Sequence, residues 1–293
     1  MMKKGKIGVV GAGLIGGSIA AHAVKKKKEV ICFGRNPLRL KKALRSGICT
    51  EVTTDLARAG ECGIIFLSTP VDTIIGLGKK IIPFMSKGAV LTDVGSVKAE
   101  ICASLFPEAK KRDILFCGAH PMAGSEKTGF ENASADLFRD TVVFVAKGGN
   151  SSSRGGKIVR EFWAGAGAEC VSIEPEKHDE FASLTSHLPH LIAFSFAESF
   201  CRFEKKHRSV RDAAAGSFEN ITRIAASSPF LWSAVFAQNR KNIIRRAKDF
   251  RKSLDAMILS LEKKESTLNT LKRINRSYES YADQACKKNK RNR

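Results

Sequence analysis

The chain of 293 residues is short of acid: 29 Asp and Glu stand against 50 Lys and Arg, a formal net charge of +21. It has no Cys-x-x-Cys pair, and Cys32, Cys49, Cys62, Cys102, Cys117, Cys170, Cys201 and Cys286 lie scattered, away from one another and from histidine. That scatter argues against a metal site and against a disulfide scaffold, and for reduced core thiols in a cytoplasmic protein. No run approaches the ~20 apolar residues that a membrane span needs. The apolar stretch behind Lys3 and Lys4, ending in Ala21-His22-Ala23, has the outline of a secretory leader. Five glycines between Gly8 and Gly17 spoil its helical core, and Lys25 to Lys28 follow at once, so no leader is expected. With 43% hydrophobic residues the chain is neither disordered nor collagen-like. At roughly 150 residues per domain it has room for two cores.

The charge is uneven. Residues 1–50 carry 12 basic side chains and one acidic, residues 51–200 carry 15 and 19, and residues 201–293 carry 23 and nine. A nearly neutral middle between basic ends describes a solvated surface with a basic C-terminus, not a nucleic-acid groove running through a fold.

The first half alternates. Apolar runs at 6–10, 29–33, 63–67 and 89–93 read as strands, separated by helical stretches at 14–28, 37–46 and 71–83. Repeated βα units imply an α/β domain with a doubly wound parallel sheet of Rossmann type. Runs at 115–119, 141–146 and 168–172 read as later strands, carrying this domain to residue 173, with a Ser/Gly-rich loop at 150–156. From Pro175 the strand pattern stops. Phe181, Leu184, Leu188, Leu191, Ile192 and Phe194 recur with helical spacing, so residues 174–286 should form an all-α domain. Farther on, Ile243, Ala247, Phe250, Leu254, Met257, Leu261, Leu268 and Leu271 recur at spacings of three, four or seven over a basic helix or helix pair. Such a row suits a helix seam, either inside one subunit or across a homodimer. Residues 287–293 read as a frayed basic tail.

Gly11, Gly13 and Gly16 make Gly-x-Gly-x-x-Gly directly after a strand and at the opening of a helix. In that setting the first glycine permits the turn, the second admits a pyrophosphate to the helix N-terminus, where Leu14 and Ile15 follow, and the third lets helix and strand pack closely. A dinucleotide is therefore expected here, with Ser68, Thr69 and Pro70, after the strand at 63–67, beside it. The end of the second strand reads Phe33-Gly34-Arg35-Asn36-Pro37, without the acid that would hold ribose hydroxyls and repel a 2′-phosphate. Arg35 and Asn36, with Arg39 nearby, favour NADP over NAD.

Three polar segments follow strands, where doubly wound sheets bind ligands: Thr92-Asp93-Val94-Gly95-Ser96-Val97-Lys98, His120-Pro121-Met122-Ala123-Gly124-Ser125-Glu126, and Ser186-His187-Leu188-Pro189-His190. His120, closing a strand and stiffened by Pro121, has an unperturbed pKa of about 6.5 suited to a general base. With Gly11 to Ser18 and the later stretch Gly216 to Trp232, this set and its order resemble the prephenate and arogenate dehydrogenase family of tyrosine biosynthesis, over residues 6 to 260.

The resemblance implies oxidative decarboxylation of a cyclohexadienol that bears a ring carboxylate and a three-carbon acid side chain, with NADP or NAD as hydride acceptor. It places the catalytic histidine at His120, with Ser96 hydrogen-bonding either His120 or the substrate hydroxyl; the bland reading of Ser96 is a helix N-cap. It makes Arg223 the clamp on a substrate carboxylate, puts Ser125, Glu126 and His190 in the same pocket, and leaves His187 structural. Glu219-Asn220 stand where many members of that family carry Lys-Asp. A neutral Asn220 would tolerate the keto side chain of prephenate, whereas an acid facing the side chain would suit the ammonium of arogenate, and Glu219 could supply that acid instead. Two other readings compete. One is a different two-domain NADP-dependent dehydrogenase of β-hydroxyacid type, which usually needs a lysine or paired carboxylates in the helical half. The other is a catalytically silent dinucleotide sensor whose basic C-terminus meets an anionic surface.

Overall fold

The computed structural model describes residues 5–123, 129–148, 154–263 and 266–291. Contacts divide the chain into two compact units, Met1–Ile243 and Ile244–Arg293. The first opens with β1 (Lys6–Val10), α1 (Leu14–Lys25), β2 (Val30–Phe33), α2 (Pro37–Arg45), β3 (Glu51–Thr53), β4 (Cys62–Leu67), α3 (Val71–Ile81), β5 (Val90–Asp93), α4 (Ala99–Lys110) and β6 (Leu115–Pro121). It continues with β7 (Val142–Ala146), α5 (Arg154–Gly165), β8 (Glu169–Ile173), α6 (Pro175–Ala182), α7 (Leu188–Glu204), α8 (Gly216–Thr222) and α9 (Pro229–Gln238). Helix α10 (Arg240–Glu262) leads into the second unit, and α11 (Ser266–Arg291) completes it.

Among the described residues eight strands lie in one sheet, in the order β3-β2-β1-β4-β5-β6-β7-β8. Every pairing is parallel except β6 with β7. β4 is buried along its whole length and β1 from Ile7 onward, as central parallel strands covered by helices on both faces must be. One core layer joins Ile7, Val9, Ile19, Ile64, Phe66 and Trp163, and the opposite layer joins Val10, Ile65, Leu67, Ile74, Ile101 and Leu105. Strand order reverses between β1 and β4, so the crevice outside their carboxyl ends is the place where such sheets bind ligands.

Three features were not expected from the sequence. The three-residue strand β3 is too short and too polar at Glu51 and Thr53 to stand out. β7 runs against its neighbour β6, with His120 opposite Phe144. α5 begins at Arg154, inside the stretch read as a Ser/Gly loop, although Gly155 and Gly156 weaken a helix. Both glycines are buried there, so packing outweighs their poor propensity.

The all-helical character after residue 174 is as expected, and the long basic segment is a pair of helices. Phe250, Leu254, Leu261, Leu268 and Leu271 are all exposed on α10 and α11, so their periodicity is not explained by burial within one chain. α11 continues as helix through Arg291, into the stretch read as a frayed tail.

Candidate active site

The glycine turn sits at the reversal point. Gly11 has φ +95°, and a Cβ on it would lie 2.7 Å from the Thr69 methyl and 2.9 Å from the Ser68 carbonyl oxygen. A Cβ on Gly16 would stand 2.0 Å from the Gly11 carbonyl oxygen. Turn, helix start and the β4 end are thus packed with no room for side chains at either glycine. Above Gly13, by contrast, an added Cβ meets nothing within 4 Å. α1 begins there without a side-chain cap, leaving its first N–H groups, beginning at Leu14 and Ile15, to an outside acceptor. The Ser68 hydroxyl oxygen is buried with no hydrogen-bond partner among the described residues. An open helix N-terminus beside an orphaned hydroxyl fits the pyrophosphate of a dinucleotide. Pro70 is the N-cap of α3, held by the Thr73 hydroxyl donating to its carbonyl oxygen at 2.7 Å.

Beyond β2, Arg35 and Arg39 are exposed and form no ion pair among the described residues. Asn36 is engaged locally: its side-chain oxygen accepts the Arg39 N–H at 3.1 Å and caps α2.

The second half of the site is a cluster of imidazoles. His120 lies in β6, half-buried, and its Nδ1 is 2.9 Å from Nε2 of His178 in α6. His178 Nδ1 is 2.8 Å from an Asp179 carboxylate oxygen. Asp179 also accepts the backbone N–H groups of Lys98 at 2.7 Å and Ala99 at 3.0 Å. This remote carboxylate therefore caps α4, which takes the N-cap role away from Ser96; α4 begins only at Ala99, and Ser96 is half-buried ahead of it. Beneath the cluster Lys98, fully buried, is paired with the equally buried Asp93, which also accepts the Gly95 N–H at 2.9 Å.

Pro189 has no N–H for the helix that would run unbroken from α6, and residues Ser183–His187 widen into a π turn just before it. His187, fully buried there, has Nδ1 3.0 Å from the Asn239 side-chain nitrogen, which also donates to the Asp179 carbonyl oxygen at 2.7 Å. His190 stacks on Trp232 with ring centroids 3.6 Å apart, its Nδ1 3.0 Å from the Ser186 carbonyl oxygen.

Burial dominates the electrostatics. Desolvation holds His120 well below its ordinary 6.5, with His178, Lys98 and His187 adding to the effect. Burial lowers His178 despite the pull of Asp179, brings His187 down to about 4, and lowers His190. The cluster is neutral near pH 7, so His120 is in the form that accepts a proton.

The structure brings together Gly11, Gly13, Leu14, Ile15, Gly16, Ser68, Thr69 and Pro70 at one sheet edge. On the same edge it places Ser96 and His120. Asn220, on α8, and Arg223, which opens the following turn, are both exposed, and both elements pack on α7, the helix that carries His190. Ser125 and Glu126 lie outside the described residues. Sequence reasoning missed His178, Asp179 and Asn239, and quoted Asp93, Lys98 and Trp232 without giving them a role. An adjacent His-Asp one turn inside a Pro-started helix is the only local mark of that relay.

A glycine turn at the reversal point of a doubly wound sheet, with a half-buried histidine on the same edge, defines the class of a nucleotide-dependent oxidoreductase with a helical C-terminal part. Comparison with known proteins narrows this. Residues 19–172 match the family model described as prephenate dehydrogenase, nucleotide-binding domain, and residues 174–274 match prephenate dehydrogenase, dimerization domain. The chain is 31% identical over 266 residues to the prephenate dehydrogenase of Lactococcus lactis, covering 89% of this chain and 72% of that one. It is 30% identical over 238 residues to the cyclohexadienyl dehydrogenase of Zymomonas mobilis, covering 80% of each. The crystal structure of prephenate dehydrogenase from Aquifex aeolicus with hydroxyphenyl propionate and NAD+ superposes with a TM-score of 0.88 at 29% identity, covering 95% of this chain and 99% of that one. The chain belongs to the prephenate dehydrogenase family.

Proposed function

We propose that the protein oxidises and decarboxylates prephenate to 4-hydroxyphenylpyruvate, or arogenate to tyrosine, with a nicotinamide dinucleotide. The observation that carries this reading is a neutral, desolvated His120 on the same sheet edge as the glycine turn. A bound nicotinamide supplies the hydride acceptor for the ring carbinol. His120 takes the hydroxyl proton as the carbonyl forms. Loss of carbon dioxide then leaves the electron pair in the ring, and the same proton returns from His120 to the oxygen of the new phenol. Ser96 positions the hydroxyl or His120. The substrate itself provides most of the driving force through aromatisation, so the chain need only bind, orient and move that proton.

Arg223 would clamp a carboxylate, with His190, Ser125 and Glu126 lining the pocket, and neutral Asn220 favours the keto side chain of prephenate. Arg35 supports NADP, since its exposed guanidinium just beyond β2 is available to a 2′-phosphate; the Aquifex aeolicus relative was crystallised with NAD+. Residues 174–286 would form the helical, subunit-joining half of a cytoplasmic homodimer, and the exposed apolar row on α10 and α11 supports that assembly.

Formation of reduced cofactor at 340 nm, with prephenate and arogenate each offered against NADP and NAD, tests the reading. Turnover is expected with at least one pair, prephenate and NADP being fastest. Silence in all four, from folded protein that binds dinucleotide, would overturn it.

A further inference from the structure

Asp179 receives two backbone N–H groups, from Lys98 and Ala99, and backbone N–H groups can only donate. An ionised carboxylate held this way is an acceptor only. His178 Nδ1, 2.8 Å from it, must therefore carry a proton. A neutral His178 then has a bare lone pair on Nε2, and this atom lies 2.9 Å from His120 Nδ1. Two lone pairs cannot share that contact, so His120 donates through Nδ1–H, and its remaining nitrogen, Nε2, is unprotonated. What would reverse the chain is a doubly protonated His178. Its near-complete burial, at 1% exposure, and the nearby buried Lys98 both oppose the cation.

We propose that His178 and Asp179 are positioning residues that fix the tautomer of His120, so that Nε2 is the atom that accepts the substrate proton. Neither touches the reacting atoms. When His120 becomes an imidazolium, its Nδ1–H stays bonded to His178, and the Asp179 charge stands behind that bond. The arrangement ties the site to the fold, because the same carboxylate caps α4. Phe144, edge-on to His178 with centroids 5.6 Å apart, and the antiparallel β7 that carries it hold the intermediate ring in place.

The role as a proton acceptor in catalysis rests on the dehydrogenase reading above, but the tautomer does not, and the experiment separates them. Ring-nitrogen NMR of the full-length protein labelled with 15N-histidine is expected to show His120 protonated on Nδ1 and bare on Nε2 at pH 7.5. In Asp179→Asn the side-chain NH2 can donate to His178 Nδ1, which inverts both rings and leaves His120 with a proton on Nε2. Turnover should then fall by ~10²-fold or more, as expected when a catalytic histidine is held in the wrong tautomer, with KM and dinucleotide affinity within about threefold of wild type. Because Asp179→Asn also alters the α4 cap, His178→Phe serves as the second variant. It keeps a ring against Phe144 and leaves Asp179 on α4, yet removes the acceptor, and kcat should drop by at least ~10-fold. A wild-type His120 protonated on Nε2 overturns the proposal. So does a His178→Phe enzyme with wild-type kcat. If no substrate pair is turned over but the tautomers are as stated, the functional reading fails and the tautomer assignment stands.

Discussion

The roles proposed for Arg35 and His120 rest on opposite environments. Arg35 is exposed and free of ion pairs among the described residues, so its whole donor fork is available to a ligand, and Arg35→Ala should weaken NADP by at least ~10-fold while changing NAD by less than about threefold. Equal losses for both, measured by titrating protein fluorescence, would remove the phosphate role. His120 is proposed to act as a base because desolvation holds it well below its ordinary 6.5. Replacing it with Asn retains a polar group of similar reach but no titrating nitrogen, so kcat should fall by ~10²-fold or more with little change in KM, as steady-state kinetics will show. His120 was legible in the sequence because it follows an apolar strand and precedes proline. His178 and Asp179 were not, because Glu-Lys-His-Asp-Glu reads as the solvated first turn of a helix; only the packing of α6 between β7 and the start of α4 buries them.

At the level of elements, the strand–glycine–helix unit was readable almost to the residue, since Gly11, Gly13 and Gly16 each answer a separate steric demand. Two of these demands are close contacts and one is open space, which yields a test. Gly13 has φ −94°, a value any residue adopts, and an added methyl meets nothing. Gly13→Ala should therefore keep its thermal midpoint within about 3 °C of wild type. The same methyl would occupy the space above the α1 N-terminus, and dinucleotide affinity should drop by at least ~10-fold. Calorimetry of binding and of unfolding on one sample checks both halves. The helix boundaries near 154 and 187 were less readable. Gly155 and Gly156 argue locally for a loop, and the π turn at Ser183–His187 arises from the proline that follows it, effects that periodicity does not encode.

For the molecule as a whole, the buried imidazoles couple stability to pH. His120, His178, His187 and His190 are all held below 6.5 in the folded chain, by burial first. On acidification below pH 6.5 the unfolded chain takes up protons that the folded chain refuses, so stability falls with pH. For His187, at about 4 when folded, the loss should approach about 3 kcal/mol between pH 6.5 and 4 and level off below. Urea midpoints measured from pH 7.5 to 4 should decline steadily, and a flat profile would show that the cluster opens to water. The division into an α/β part and a helical part was plain from the change in period at Pro175. The antiparallel turn of the sheet at β7 was not, because strand direction is set by the path of the chain and leaves no mark in side-chain alternation.

That path also sets an order in time. The glycine turn and the Ser68–Thr69 edge are complete once about 70 residues have left the ribosome, but Asp179 emerges more than a hundred residues later, and with it come both the cap of α4 and the partner of His120. A nascent chain halted before α6 would hold the glycine turn and His120 without the partner that sets its protonation pattern. On the proposed reading, the tautomer of His120 would be fixed only after the first helix beyond the sheet has docked.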